Sequence, residues 1–341
     1  MSPRFSARAY QADDEAAVLA LLHGALGGGR AFDRNSAFWQ WKHFQNPFGH
    51  SLMTVAANGG ILGLRAFLRW QFLVGPHRLS AVRAVDTATH PDYRRHGIFS
   101  TLTAITVDQA KREGIDLVFN TPNRASLPGY LKLGWVNVGK PRLWVKVLKP
   151  TRVARVLLFP RVHAEVNGTN DMAPIAPSEM LLSRSPNLEH LLADNDCLCG
   201  NSIRTNRSVS FLKWRYCSAP TLPYYSYWRG SEPSTAVAIF RPNRRRGLKE
   251  IILSELLLRR DAAADAGALV REMGDALEPD YMVATAPRGS VHARALRLAG
   301  FRPIPRLGPN LTVRVLSPLA ERVSADCLAR WHLSLGDLEV F

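Results

Sequence analysis

An internal repeat limits what this chain can fold into more than any other feature. Phe38, Trp41, Lys42 and Pro47 reappear as Phe211, Trp214, Arg215 and Pro220, every pair 173 positions apart and without a gap. Gly134-Trp135 corresponds in turn to Gly300-Phe301 at an offset of 166, so the second copy is shorter between the two landmarks. Two copies of this length mean duplicated domains rather than a solenoid, and 341 residues suit two domains of ordinary size. The expected organisation is a first domain over 1–150, a linker over 151–165 and a second domain over 166–341. LEHLLADN at 188–195 falls about where the first helix of copy one would place its counterpart.

Within the first copy, Asp13 and Asp14 suit a helix start, followed by Val18, Leu19 and Leu22 on one side. A short aromatic helix, Ser36 to Phe44, ends at NPFG. SLMTVAA and ILGLRAFLRWQFLV read as strands split by Asn58, Gly59 and Gly60, and LSAVRAVDTAT as a third strand. IFSTLTAITVDQAKREG reads as a helix, and DLVFNTP as a strand leading into a last helix that ends at LKLGW. This alternation predicts an α/β chain, with a mixed sheet covered by helices on both faces.

Net charge and cysteines narrow the function by exclusion. A balance of +16 ordinarily suggests a polyanionic partner. Only eight of the 44 cations are lysines, however, and none of the arginine clusters alternates with aromatics, so nucleic acid is not the expected partner. Cys197, Cys199, Cys217 and Cys327 have neither C-x-x-C spacing nor a nearby His pair, so no metal site is expected. No run reaches the length of a membrane helix and the N-terminal stretch has no apolar signal core, which makes a cytoplasmic protein the default.

The strongest chemical signal is TATHPDYRRHGIFSTL, residues 87–102. A strand ends, Pro91 breaks it, and Arg94, Arg95, His96 and Gly97 form a turn from which a helix starts at once. Main-chain N–H groups and the positive end of the helix dipole make such a turn a seat for phosphate. Gly97 lets the backbone approach closely, and the arginines add charge-assisted bonds.

In its motifs this stretch resembles the GNAT superfamily of N-acetyltransferases, whose strand-to-helix turn reads Arg or Gln, two variable residues, Gly, one variable residue, then Gly or Ala. Arg94, Arg95, His96, Gly97 and Ile98 fit, and Phe99 departs from the sixth position. Asn123, Tyr130, Gly134 and Trp135 reproduce a second landmark of the family. The resemblance covers about residues 1–140 and reaches the second half through the repeat. It implies two tandem GNAT-like domains, each a mixed, mostly antiparallel sheet with helices on both faces, the second a degenerate copy without the phosphate-binding turn. Either Ala295 or Leu296 stands there at the Tyr130 position, depending on one gap.

The resemblance also implies acetyl-CoA as acyl donor. Its diphosphate would lie on Arg94, Arg95, His96, Gly97, Ile98 and Phe99. Its pantetheine arm would lie along the main chain of Thr87, Ala88 and Thr89, with Asn123 and Ser126 completing the amide contacts, although both also suit a plain helix start. Tyr130 is the candidate acid for the leaving thiolate. Where many members carry a basic Glu, this chain has Arg83, and Asp86 is the only carboxylate nearby. Asp86 therefore has two readings, as base or as a buried structural carboxylate, and by strand alternation it faces away from Arg83 unless a bulge intervenes. His90 and His96 flank the turn, and a water chain to solvent is a further route for the proton. Trp39, Trp41 and Phe44 are core residues or walls of an acceptor cavity.

The expected function is acyl-CoA-dependent N-acyl transfer to a primary amine of a small molecule or amino sugar, directly in a ternary complex. Two alternatives remain at this point: a Fem-type aminoacyl transferase using charged tRNA, and a non-catalytic CoA-binding regulatory module.

Overall fold

The computed structural model describes residues 5–26, 35–158, 178–179 and 185–339. Of the expected linker over 151–165, the residues beyond 158 lie outside the described residues.

Two compact units emerge, one built on Met1–Gly139 with Asn310–Leu328, the other on Lys140–Pro309 with Ala329–Glu339. The first contains strands β1 (Ser6–Ala9), β2 (Leu52–Ala57), β3 (Ile61–Val74), β4 (His77–Thr89), β5 (Leu117–Asn120) and β6 (Val136–Gly139). Its helices are α1 (Glu15–Leu26), α2 (Ser36–His43), α3 (Ile98–Arg112) and α4 (Leu127–Lys132). The second contains β7 (Leu143–Val147), β8 (Arg204–Thr205), β9 (Tyr225–Tyr227), β10 (Ala236–Arg245), β11 (Leu248–Leu258), β12 (Tyr281–Thr285) and β13 (Arg302–Ile304). One more strand, β14 (Leu311–Val315), returns to the first unit.

Each unit is a mixed sheet. The first runs β1-β2-β3-β4-β5-β14-β6 and the second β13-β7-β12-β11-β10-β9. Every pairing along these two paths is antiparallel except β4 with β5 and β11 with β12. β7 follows the first six strands in sequence yet lies between β13 and β12, while β14 lies between β5 and β6. The boundaries at 150 and 166 drawn from the repeat thus differ from the folded units, which exchange one strand each. The physical reason is that a strand's partner is set by packing and hydrogen bonds distant in sequence. Trp144 of β7 is fully buried and its indole N–H donates to the Ala286 carbonyl at 3.0 Å.

The repeat is structural as well as sequential. Asn35 caps α2 by accepting from Phe38 N at 2.9 Å, and Ser208, 173 positions on, caps the second aromatic helix by accepting from Phe211 N at 3.1 Å. Gly134 and Gly300 both take positive φ, +86° and +93°. The next residue returns to the helix in both copies, Trp135 N to the Tyr130 carbonyl at 3.2 Å and Phe301 N to the Leu296 carbonyl at 2.9 Å. That shared bond resolves the gap in the alignment: the counterpart of Tyr130 is Leu296.

Candidate functional site

The site of the first unit begins with a bulge. β3 pairs Arg65 with Thr87 but Ala66 with Val85, leaving Asp86 as the extra residue, with φ at +33°. β4 runs beside β5 only over Ala81–Arg83, opposite Leu117–Phe119. Beyond that the two strands part, and the edge of β4 over Thr87, Ala88 and Thr89 is no longer paired with β5. The 94–97 turn follows the end of β4, and Tyr130 lies on α4, which follows β5.

At the turn, Arg94, Arg95, His96 and Gly97 are exposed, while Ile98 is buried. Arg95 and Gly97 both have positive φ, +66° and +80°. A Cβ on Gly97 would meet nothing within 4 Å, so glycine is required here by backbone conformation, not by crowding within the chain. The first helical bond of α3 runs from Thr101 N to the Gly97 carbonyl at 2.9 Å. The N–H groups of Ile98, Phe99 and Ser100 precede it and point out of the helix end. No acidic residue stands in the first turn of α3. Donor set and charge therefore fit a diphosphate.

Phe99 lies otherwise than its motif position suggests. Its ring meets Tyr130 edge-on at 5.7 Å, and a Cβ on Gly129 would touch it at 3.4 Å, so it packs toward α4. Gly63 on β3 explains how α3 comes so close to the sheet: a Cβ there would stand 2.4 Å from Ile98 Cγ2.

Tyr130 is buried between Phe99 and Trp135, and its hydroxyl oxygen accepts from Arg65 Nη1 at 2.9 Å. Asn123 acts as a cap, its Oδ1 accepting from Ala125 N at 3.0 Å and from Ser126 N at 2.9 Å. Ser126 directs its own hydroxyl back to Asn123.

Asp86 is an ion-paired carboxylate. Lys42 Nζ stands 2.6 Å and His43 Nε2 3.0 Å from its Oδ2, with its side chain almost wholly buried. Burial alone would push this carboxyl up, but the Lys42 ammonium and the His43 hydrogen bond outweigh it and hold it well below the usual range. Burial pushes the His43 imidazole down against the pull of Asp86. Its other nitrogen meets Ser51 Oγ at 2.9 Å. Trp39 packs on His43 at 4.1 Å and donates to Tyr10 Oη at 3.2 Å, while Phe44, half-buried, meets Tyr10 and His50. Trp41 instead packs on Phe38 in the interior. The fold thus brings Trp39 and Asp86 together through His43. His90 and His96 stay at the exposed turn with Tyr93 between their rings.

Three residues of this site escaped sequence reasoning in their roles: Lys42, His43 and Arg65. Signals existed for two of them. Lys42 belongs to the repeat, where a cation recurs as Arg215, and Arg65 interrupts the apolar run ILGLRAFL.

The second unit repeats the frame without the contents. Its bulge falls at Ser254, and β11 pairs with β12 only over Glu250–Ile252. Four residues, 259–262, lead from β11 to the next helix, against eight in the first unit, and Asp265 lies in that helix's first turn, where it repels phosphate. Beside β11 and β12 lies a cavity that His332, Leu333 and Ser334 help to line. Ser334 donates to Glu255 at 2.9 Å, Thr285 donates to the Leu333 carbonyl at 3.0 Å, and Arg207 bridges Glu255 at 2.9 Å and Asp337 at 2.6 Å. Cys199, also at this cavity, is a thiol pushed up to about 12, chiefly by burial.

A mixed sheet parted at a bulge, with a basic turn feeding a helix beside the gap, defines the GCN5-related acyltransferase fold. Residues 6–137 match the family model "Acetyltransferase (GNAT) domain". Solved structures extend the likeness to both units. A GCN5-related N-acetyltransferase from Anabaena variabilis ATCC 29413 is 15% identical, with 92% of this chain and 73% of that chain covered at a TM-score of 0.64. A probable N-acyltransferase from Enterococcus faecalis V583 is 11% identical over 92% and 73% of the two chains, with a TM-score of 0.60. Eis1 from Mycobacterium abscessus is 16% identical over 92% and 74%, with a TM-score of 0.53. At such identities the likeness is one of fold. No curated protein sequence matches this chain. No helix among the described residues is long and apolar enough to cross a membrane.

Proposed function

We propose that the chain is an acyl-CoA-dependent N-acyltransferase, with acetyl-CoA as donor and a primary amine of a small molecule or amino sugar as acceptor, acting by direct transfer in a ternary complex. The observation that carries this reading is the edge of β4 over Thr87–Thr89, unpaired with β5, together with the exposed basic turn at 94–97 and the buried hydroxyl of Tyr130, which shares Arg65 Nη1 with Thr87.

In this reading the bound donor supplies an activated thioester carbonyl and a thiolate leaving group. Arg94 and Arg95 hold the diphosphate against the α3 N-terminus, and main-chain groups of Thr87, Ala88 and Thr89 hold the arm as an added strand. The Tyr130 hydroxyl gives its proton to the leaving sulfur. An alkylammonium acceptor must first lose a proton, which costs roughly 4 to 5 kcal/mol at neutral pH. Asp86, held strongly ionised by Lys42, is a weak proton acceptor. We therefore assign it to fixing the bulge and leave the acceptor's proton to water. Trp39 and Phe44 wall the acceptor side. The second unit binds no donor in this reading, because its connection after β11 is four residues shorter and Asp265 stands in the first turn of the helix that follows.

Calorimetry with acetyl-CoA, followed by thiol release with a panel of amines, tests the reading. The expected result is saturable heat and amine-dependent release, with turnover falling about 10- to 100-fold in Tyr130→Phe. Absence of heat with acetyl-CoA and with longer acyl-CoA thioesters overturns it.

A further inference from the structure

Arg65 is a fixed positive charge sealed inside the first unit, and no carboxylate pairs with it among the described residues. It is fully buried. The rings of Phe67, Phe99 and Tyr130 surround its Cζ at 4.8, 5.5 and 5.1 Å. Nη1 donates to Thr87 Oγ1, and to Tyr130 Oη at 2.9 Å, while Nε and Nη2 are buried without a hydrogen-bond partner. A buried cation with no counter-ion is costly, and aromatic faces offset only part of that cost. Such a charge makes sense where negative charge arises during function. Beside Arg65 that place is the oxygen of Tyr130.

We propose that Arg65 is a positioning residue for Tyr130, which it orients as proton donor and whose phenolate it stabilises. The proposal rests on the reading of Tyr130 as the acid. Accepting from Nη1 occupies one lone pair of Oη and turns the hydroxyl hydrogen away from Arg65. As that O–H bond breaks and an S–H bond forms at the leaving thiolate, the electron pair stays on Oη, beside the guanidinium. The phenolate is then reprotonated from water, which carries the proton released by the acceptor ammonium. Three rings exclude solvent from this pair, so its attraction is weakly screened. Phe99 acquires a purpose at the position where the motif asks for Gly or Ala: its ring closes the cage.

The test compares Arg65→Met, Arg65→Lys and Tyr130→Phe in the full chain. Calorimetric affinities for CoA and desulfo-CoA are measured near pH 8.5, about the ordinary range of a thiol. The wild type is expected to prefer CoA. In Arg65→Met that preference falls about tenfold and turnover falls about 10- to 100-fold, with donor KM within about twofold. Desulfo-CoA affinity stays unchanged, and Arg65→Lys regains most of the loss. In the Tyr130→Phe background, Arg65→Met causes no further loss of preference. Equal loss of both ligands, an unchanged preference, or a further loss in the double variant overturns the proposal. Wild-type turnover by Tyr130→Phe would instead overturn the acid assignment. Arg65→Lys keeps the charge, and so remains informative should the methionine variant not fold.

Discussion

Lys42 and Asp86 form a buried ion pair, Nζ to Oδ2 at 2.6 Å, that ties the aromatic helix α2 to the one residue of β4 forced into left-handed backbone. Removing one partner takes a close opposite charge from the other in a buried site. Asp86→Asn is expected to cost about 3 kcal/mol and Lys42→Met a similar amount, while the double variant recovers most of the loss. Urea unfolding of the three proteins measures the coupling. Strictly additive losses would mean the pair does not hold the bulge.

The turn at 94–97 separates charge from conformation. Arg94→Gln and Arg95→Gln should each weaken acetyl-CoA binding about tenfold, and the wild-type affinity should fall with salt. Gly97→Ala forces a side chain onto φ +80°, at a cost of about 1 kcal/mol in stability, and distorts the seat. Calorimetry in low and high salt distinguishes the two effects, since only the arginine variants flatten the salt dependence.

Gly63 permits the close approach of α3 to β3, and a methyl group there would lie 2.4 Å from Ile98 Cγ2. Gly63→Ala is expected to lower stability by about 1 to 3 kcal/mol and to weaken donor binding, because the displaced element carries the anion seat. Thermal unfolding with and without acetyl-CoA reads both quantities.

Two histidines of the second unit make stability depend on acid. Burial pushes His292 far down and His332 down to about 3, and their rings lie 4.6 Å apart. Between about pH 6.5 and 3 the unfolded chain binds protons that the folded form refuses, so stability rises with pH across this window and is lost on acidification. The slope approaches about 1.4 kcal/mol per pH unit for each histidine. Urea midpoints at stepped pH should show it, and His332→Gln should flatten it.

The helices and strands of the first unit were largely legible, because each has its own hydrophobic period and its own stop signal. Asn58, Gly59 and Gly60 separate β2 from β3 as read, and the turn ahead of α3 stands where Pro91 and Gly97 place it. Tyr130 and Phe99 were legible as candidates but not as a contacting pair. Arg65 interrupts an apolar run, which marks it as unusual, but its partner Tyr130 lies 65 residues away and only the fold brings the two together.

The amino-acid order by itself determined the duplication, the aromatic helix with its cap in each copy, and the basic turn at a helix start, all of which depend on neighbours within a few residues. Only the tertiary structure decided that β7 and β14 change places between the sheets, that residues 332–337 hydrogen-bond with Glu255, Thr285 and Arg207, and that Lys42, Asp86 and Arg65 become buried charges. Those outcomes depend on which distant groups satisfy a strand edge or a desolvated charge, and such energies exist only once the chain has closed on itself.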